Sequence, residues 1–490
     1  MQRGVTGLRA GVAGSLCWLL LPGIAYSATW ETGASMSAGV IYTDNVRLTE
    51  EDEESRAISI VTPQFSIKGQ GSRMVVNAVG AVEFNDLGGD ADSANPRLLA
   101  DANLELVEDH FFLDVDADAH QTSVDPFRAS GVEAASQTGN TTTVYNYGFS
   151  PYFVSRVGEL ADLKVSYGYD EQRFSGNNRD TIEDSNRHTG NILLESLSGR
   201  SRLSWALTAD YNKTDYLGEN AVFDLDTEQR TAGLQLGYEL SRKWQLTGTF
   251  GKEWNDFVSL NPSIDDTYWT AGVVWTPTRR TKIDAGYGER FFGNTPYINF
   301  SHTARRTVWK LGYSRDVTDN RSLRERQRTG NFLTDEFGQP IDPFTGEPIP
   351  IDEYLTTLNS GIRVNERFDS SFSIKGNRST VTISARQSKQ QRQVELSEST
   401  FNYAQVKFTR NLSRNLSANM AVSWDERKNS EDNALDSVTY RLRLGLSIEV
   451  GPMSSLSAAF THSDRDAEGT DQFGSHQENR LSVTYLIRFK

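Results

Sequence analysis

The chain has 490 residues, a formal net charge of −15 and a pI near 5.0, a balance that argues against a nucleic-acid partner, for which a basic footprint is needed. Hydrophobic residues make up 37% and the mean hydropathy is −0.52. These values exclude a helical membrane protein but not a transmembrane barrel, whose strands need apolar residues only at alternate positions.

The one long apolar run is Gly11 to Ala28, preceded by Arg3 and Arg9 and ending Ala25-Tyr26-Ser27-Ala28. This fits a secretory signal peptide over residues 1–27, followed by a single domain over 28–490. The run is shorter than the ~20 residues that a spanning helix needs. Cys17 lies inside it and follows Leu16, where a lipoprotein signal would want a small residue, so the mature chain is expected to carry no cysteine and no disulfide. No plug-sized domain is expected between the signal peptide and the first strand.

That first strand spans Trp30 to Tyr42. It places Trp30, Ala34, Met36, Ala38, Val40 and Tyr42 on one face and Glu31, Gly33, Ser35, Ser37 and Gly39 on the other. Period-two alternation of this kind, apolar toward lipid and polar toward a lumen, recurs along the chain. Clear lipid-facing sets are Met74 to Phe84, Leu98 to Leu106, Phe111 to Ala119, Tyr145 to Phe153, Leu163 to Tyr169, Leu203 to Tyr211 and Ala232 to Leu240. The second half repeats the pattern in Trp269 to Trp275, Trp309 to Tyr313, Leu416 to Trp424 and Val438 to Ile448. Tight connections such as Gly69 to Ser72, Glu108 to His110 and Ser241 to Lys243 alternate with long ones such as Asp44 to Arg56, Thr122 to Asn140 and Gly330 to Ser360. The tight set should be periplasmic and the long set extracellular.

The expected fold is therefore all-β, a transmembrane antiparallel up-and-down β-barrel of about 22 strands, with about 18–20 as the alternative, in the outer membrane of a Gram-negative bacterium. The least regular candidate strands are Ile58 to Ile67, which contains Pro63, and the highly charged Arg321 to Arg328. Trp30, Trp244, Trp254, Trp275 and Trp424 fall near strand ends, as in interfacial girdles, whereas Trp205 and Trp309 fall nearer mid-strand. The last strand carries Leu481, Val483, Tyr485, Ile487 and Phe489 on one face and is expected to pair with Trp30 to Tyr42 and close the sheet. Phe489 should act as the signal to the outer-membrane barrel assembly machinery, although Lys490 follows it.

Asp101, Glu105, Asp114, Asp116 and Asp118 alternate so as to share one luminal face, giving an acidic pore wall. Strand positions ~7 Å apart cannot all reach one calcium ion, so a metal site is the weaker reading. Later strands turn basic on the inner face, through Arg306, Lys310, Arg386, Lys407, Arg441 and Arg443, with Arg480 and Arg488 at the end. Such a wall either guides anionic permeants such as an anionic polysaccharide or pairs with inward acids to brace the barrel. The run Glu50 to Glu54 is expected to be a solvated loop. The Pro-rich segment Gly338 to Pro350 cannot be a regular strand and is expected to be an extracellular loop, with inward folding as a constriction the alternative. The six histidines, His110, His120, His188, His302, His462 and His476, lie in no nucleophile motif, so neither catalysis nor a cofactor is expected.

Five stretches resemble the porin-like outer-membrane barrels encoded with PEP-CTERM/exosortase protein-sorting and exopolysaccharide systems. They are Ala28-Thr29-Trp30, Tyr42-Thr43-Asp44-Asn45-Val46-Arg47-Leu48, Leu106-Val107-Glu108-Asp109-His110-Phe111-Phe112, Gly288-Glu289-Arg290-Phe291-Phe292-Gly293-Asn294-Thr295 and Arg305-Arg306-Thr307-Val308-Trp309. The resemblance implies an outer-membrane lipid environment and a link to polysaccharide export components or surface-protein sorting. It carries over no catalytic residue. Together these features point to a passage or platform for export of exopolysaccharide or surface proteins; the alternatives are a general porin and a non-conducting structural or receptor barrel.

Overall fold

The computed structural model describes residues 28–489, except 87–92, 126, 130–138, 176–182, 198–200, 218–225, 262, 320, 322–332, 335–339, 342–360, 394–396, 431–435 and 469–473. Residues 1–27, on which the expected signal peptide falls, lie outside the described residues. Twenty-two strands build one closed antiparallel barrel. They are β1 (Thr29–Thr43), β2 (Arg56–Gln70), β3 (Met74–Asp86), β4 (Ser93–Val107), β5 (Phe111–Ser123), β6 (Thr141–Val157), β7 (Ala161–Ser175) and β8 (Ser185–Ser196). Next come β9 (Leu203–Tyr216), β10 (Thr227–Ser241), β11 (Trp244–Asp256), β12 (Asp266–Thr278), β13 (Thr281–Arg290), β14 (Tyr297–Thr303) and β15 (Thr307–Asp319). The rest are β16 (Ile362–Lys375), β17 (Ser379–Arg392), β18 (Glu398–Asn411), β19 (Leu416–Asn429), β20 (Asp436–Gly451), β21 (Ser454–Glu468) and β22 (His476–Phe489).

Each strand pairs with its chain neighbours, and β22 pairs with β1 from Ala34↔Phe489 to Thr43↔Arg480. Closure removes every sheet edge, the condition for backbone to lie in hydrocarbon, where no water can satisfy an open N–H or C=O. The seam is reinforced where it reaches the outer rim. Thr43 Oγ1 donates to Glu478 Oε1 at 2.8 Å, and the Asp44 carboxylate accepts from the Asn479 backbone N at 2.7 Å and its Nδ2 at 2.8 Å. Asn45, with no exposed surface, donates to the Thr49 and Gln477 carbonyls. The Thr43-Asp44-Asn45 run is thus the lock on the barrel seam.

Side chains follow the expected alternation. The outward positions are apolar and exposed, for instance Met36, Val40, Tyr42, Phe65, Phe84, Leu207, Phe250, Val422, Leu446 and Val483. Trp244 and Trp275 stack at 5.1 Å beside the β10–β11 and β12–β13 turns. Trp205 and Trp309 are each the third residue of their strands, so they belong to the same periplasmic-end girdle; the mid-strand placement expected for them fails because β9 and β15 run further outward than their apolar stretches.

The two least regular candidate strands differ in outcome. Of Arg321 to Arg328, residues 322–328 lie outside the described residues, and β15 pairs directly with β16, from Thr307↔Ile374 to Asp319↔Ile362. The Pro63 segment, by contrast, is a full strand. Its missing N–H opens a gap at Thr62–Pro63 in the β2–β3 ladder, while pairing continues on either side at Val61↔Phe84 and Gln64↔Ala81.

Candidate functional site in the lumen

The inward-facing positions change character along the barrel axis. On β1, Glu31 is exposed, Ser35, Ser37 and Gly39 are half-buried, and Ile41 and Thr43 are buried. On β22 the same order runs from exposed Arg488 through Ser482 to buried Arg480, Glu478 and His476. The lumen is open toward the short turns and packed toward the long connections.

Among the described residues, three packed patches fill that end. The segment Val124–Ala129 turns inward and sets Phe127, 5% exposed, against Phe401 of β18 with ring centroids 5.5 Å apart. Arg465 of β21 donates to the Phe127 carbonyl through Nη2 and to the Gly474 carbonyl through Nε. Asn140 holds the same strap from behind: its Nδ2 lies within bonding distance of the Asp125, Arg128 and Ala129 carbonyls, and its Oδ1 accepts from the Asp125 N at 2.8 Å. The first connection buries Val46 against Ile41 and Ile58, with Ile60 packed on them, and also buries Leu48, at φ 54°. Its acidic part, Glu50 to Glu53, is exposed to solvent.

The third patch joins Phe257, Phe291 and Ile362, with Ile264, Phe292 and Val317 around them. Glu253, fully buried, anchors it by accepting from Arg290 Nη2 at 2.6 Å and from the Phe291 backbone N at 3.2 Å, and Arg290 also pairs with Asp316. Gly293 follows at φ +102°, a left-handed value that suits glycine. Arg321, 1% exposed, reaches from beyond β15 to the Ser185 carbonyl and hydroxyl of β8 at 3.2 and 3.1 Å, a strand that no ladder joins to β15. The Gly338 to Pro350 segment, expected as a loop or constriction, lies outside the described residues.

The structure places Asp101, Asp114, Asp116 and Asp118 on the luminal face of β4 and β5, with Asp101 directly across from Asp116. Their described partners are mostly amides: Asn77 on Asp101 at 3.0 Å, Asn103 on Asp114 at 2.5 Å, and Asn146 on Asp118 at 3.0 Å, where His120 also bonds at 2.9 Å. Asp118 is 3% exposed and belongs to the packed half. Glu105 serves a turn instead, accepting the Asp109 N–H at 2.6 Å. Asp170 of β7 extends this wall and pairs with Arg187 at 3.5 Å; its alternation within β7 was a readable signal for it.

On the basic side, Lys310 is exposed into the lumen, and Lys407, Arg441 and Arg443 are half-buried on the inner faces of β18 and β20. Arg386 is braced, its Nε 2.5 Å from Asp369 Oδ1. Arg306 departs from expectation: it lies exposed in the turn before β15, 3.3 Å from Asn377 of a neighbouring turn, because β15 starts only at Thr307. Arg427, Arg465 and Arg480, each under 10% exposed, complete the wall, with Asp425 on Arg427 and Glu478 on Arg480. Small luminal residues of β1, among them Ser35 and Ser37, lie between the two walls.

Among the described residues no group of three histidine, cysteine or carboxylate side chains is placed to hold a metal ion. The described histidine hydrogen bonds go to Asp118, Tyr167, Thr281, Asn479 and the Glu108 carbonyl, so they form no serine–histidine or cysteine–histidine pair.

No protein-family model matches the chain, and no curated protein matches it. Solved structures do. The FrpB iron transporter of Neisseria meningitidis superposes with a TM-score of 0.55 at 11% identity, covering 94% of this chain and 82% of that one. The ferric enterobactin receptor PfeA of Pseudomonas aeruginosa gives 0.54 at 11% identity, with 94% and 80% covered. The siderophore receptor PirA of Acinetobacter baumannii gives 0.53 at 8%, with 94% and 81% covered. At these identities the likeness is one of fold, and it is the fold of a 22-strand barrel of the Gram-negative outer membrane.

Proposed function

We propose that the protein is a gated, receptor-type outer-membrane barrel that does not conduct as an open porin. The observation that carries this reading is the inward strap at Phe127, seated on Phe401 and held from two sides by Arg465 and Asn140. A lumen closed outward and open inward admits solute only after its own loops move, and the neighbours in fold are named as receptors and transporters. The test is reconstitution into planar bilayers. Long-lived closed periods with rare large steps support the reading, and steady ohmic conductance from the moment of insertion contradicts it.

A second reading, export of an anionic exopolysaccharide or service to a surface-protein sorting system, draws on the basic side chains that keep lumen exposure, Lys310, Lys407, Arg441 and Arg443, which offer an anionic polymer counter-charge. Polysaccharide polymerases and an exosortase encoded beside this chain would favour it. Their absence would leave the receptor reading alone. Both readings keep the signal peptide over residues 1–27 as the route of export.

A further inference from the structure

Two rows of luminal residues on β10–β14 share one pattern. In the first, Gly233 lies directly across from Gly251, and Gly251 across from Tyr268. In the second, Gly272 lies across from Gly286, and Gly286 across from Tyr297. Each tyrosine lies back over both glycines of its row. A Cβ built on Gly251 would stand 2.6 Å from the Tyr268 ring, and one on Gly233 2.4 Å from its hydroxyl; the values for Tyr297 are 2.5 Å at Gly286 and 2.3 Å at Gly272. One ring face is therefore flat against the wall; Tyr297 turns its other face to the lumen, and at Tyr268 the Arg290 guanidinium also stands by the ring, 6.0 Å from its centroid, at the edge of the platform. The Tyr297 hydroxyl interacts with Thr247 and Asp284, and Asp210 lies near Tyr268, so the rings are held in a polar frame.

The same arrangement on the outer surface has a simple cause. Trp30 covers Gly69 and Phe65 covers Gly80 where lipid favours apolar surface. An aqueous lumen makes no such demand, and an apolar ring face turned to water is unfavourable where the serines of β1 would serve. Flat aromatic faces bordered by hydroxyl and carboxylate side chains complement a sugar, whose ring has an apolar C–H face and a hydroxyl rim.

We propose that this wall is a binding platform for a linear oligosaccharide. Along β12 the two rows are four residues apart, about 13 Å, and the rings are offset by two strands, about 10 Å, so they stand roughly 16 Å apart. A single sugar cannot touch both. The platform goes beyond the gated-receptor reading and does not rest on it, since it faces the lumen whether or not the outer loops move.

The test is saturation-transfer NMR on the folded full chain in a detergent without a sugar headgroup, with cello-oligosaccharides of one to six units as probes. Affinity should rise with chain length until both rings are spanned. Tyr268→Ala and Tyr297→Ala should each lower the affinity for the longer probes at least about tenfold and flatten the length dependence. Tyr268→Phe and Tyr297→Phe, which keep the ring faces, should retain most of the binding and guard against a misfolded alanine variant. Resistance of each unheated sample to SDS reports folding. Absence of transfer to every probe overturns the proposal, and so does binding that the folded double alanine variant leaves unchanged, which would assign the rings to covering glycine alone.

Discussion

Replacing Phe127 by alanine is the sharpest perturbation of the closed lumen. The ring is 5% exposed and packs on Phe401, itself 1% exposed, so its removal forfeits the burial of a large aromatic side chain on both partners. Truncating a buried phenylalanine costs about 3–5 kcal/mol. The lower end applies here, because the hydrogen bonds from Arg465 and Asn140 reach the strap's backbone and survive the substitution. About 3 kcal/mol corresponds to a roughly hundredfold rise in the ratio of displaced to seated strap. Single-channel recording should show this as a large gain in open probability, and cells carrying the variant should become sensitive to antibiotics too large for general porins. An open probability equal to that of the parent protein, in a variant whose unheated sample still resists SDS, would refute the assignment of this strap as a closing element.

Other substitutions probe the remaining supports. Glu253→Gln should destabilise the barrel by about 3 kcal/mol, seen as a lower urea midpoint, because it removes the charge of a fully buried carboxylate and leaves half-buried Arg290 with Asp316 as its remaining carboxylate; no shift would contradict the anchoring role. Asn45→Ala removes buried hydrogen bonds at the β1–β22 seam and should cost about 1–3 kcal/mol, read as a lower temperature for loss of SDS resistance. In the Phe127→Ala background, Arg441→Ser with Arg443→Ser should move the reversal potential toward cation selectivity, and an unmoved potential would show that the basic wall only braces the barrel. Removing Phe489 and Lys490 deletes the residue paired with Ala34 and should depress outer-membrane assembly; normal assembly would show that the final aromatic is not the signal.

The strand pattern was legible because lipid imposes it residue by residue. The alternation in Leu481 to Phe489 and in Trp30 to Tyr42 specified the faces, and the two strands pair as that alternation requires. Pro63 shows that the alternation outweighs one unfavourable residue: a proline on the lipid-facing side costs the sheet one donor and is carried by its neighbours. The luminal side was legible in charge but not in contacts. Asp114 and Arg441 could be placed on the inner face by parity alone, but the seating of Phe127 on Phe401 joins positions far apart in sequence, and no local pattern announces it. Similarly, nothing local in Tyr42 to Leu48 or Gly288 to Thr295 announces the seam lock or the anchor of the Phe291 patch, which depend on partners at Asn479 and Glu253.

A barrel closed by its own loops on the outer side and open on the inner side exposes its lumen to only one compartment. The only cysteine of the sequence, Cys17, falls in the expected signal peptide, so a Ser35→Cys variant places one thiol in the inner half of the lumen. Its labelling should be measured with a maleimide too large for general porins, added to intact cells and to cells whose periplasm has been opened. Labelling should be rapid only from the periplasmic side; equal labelling in intact cells would show a lumen open at both ends.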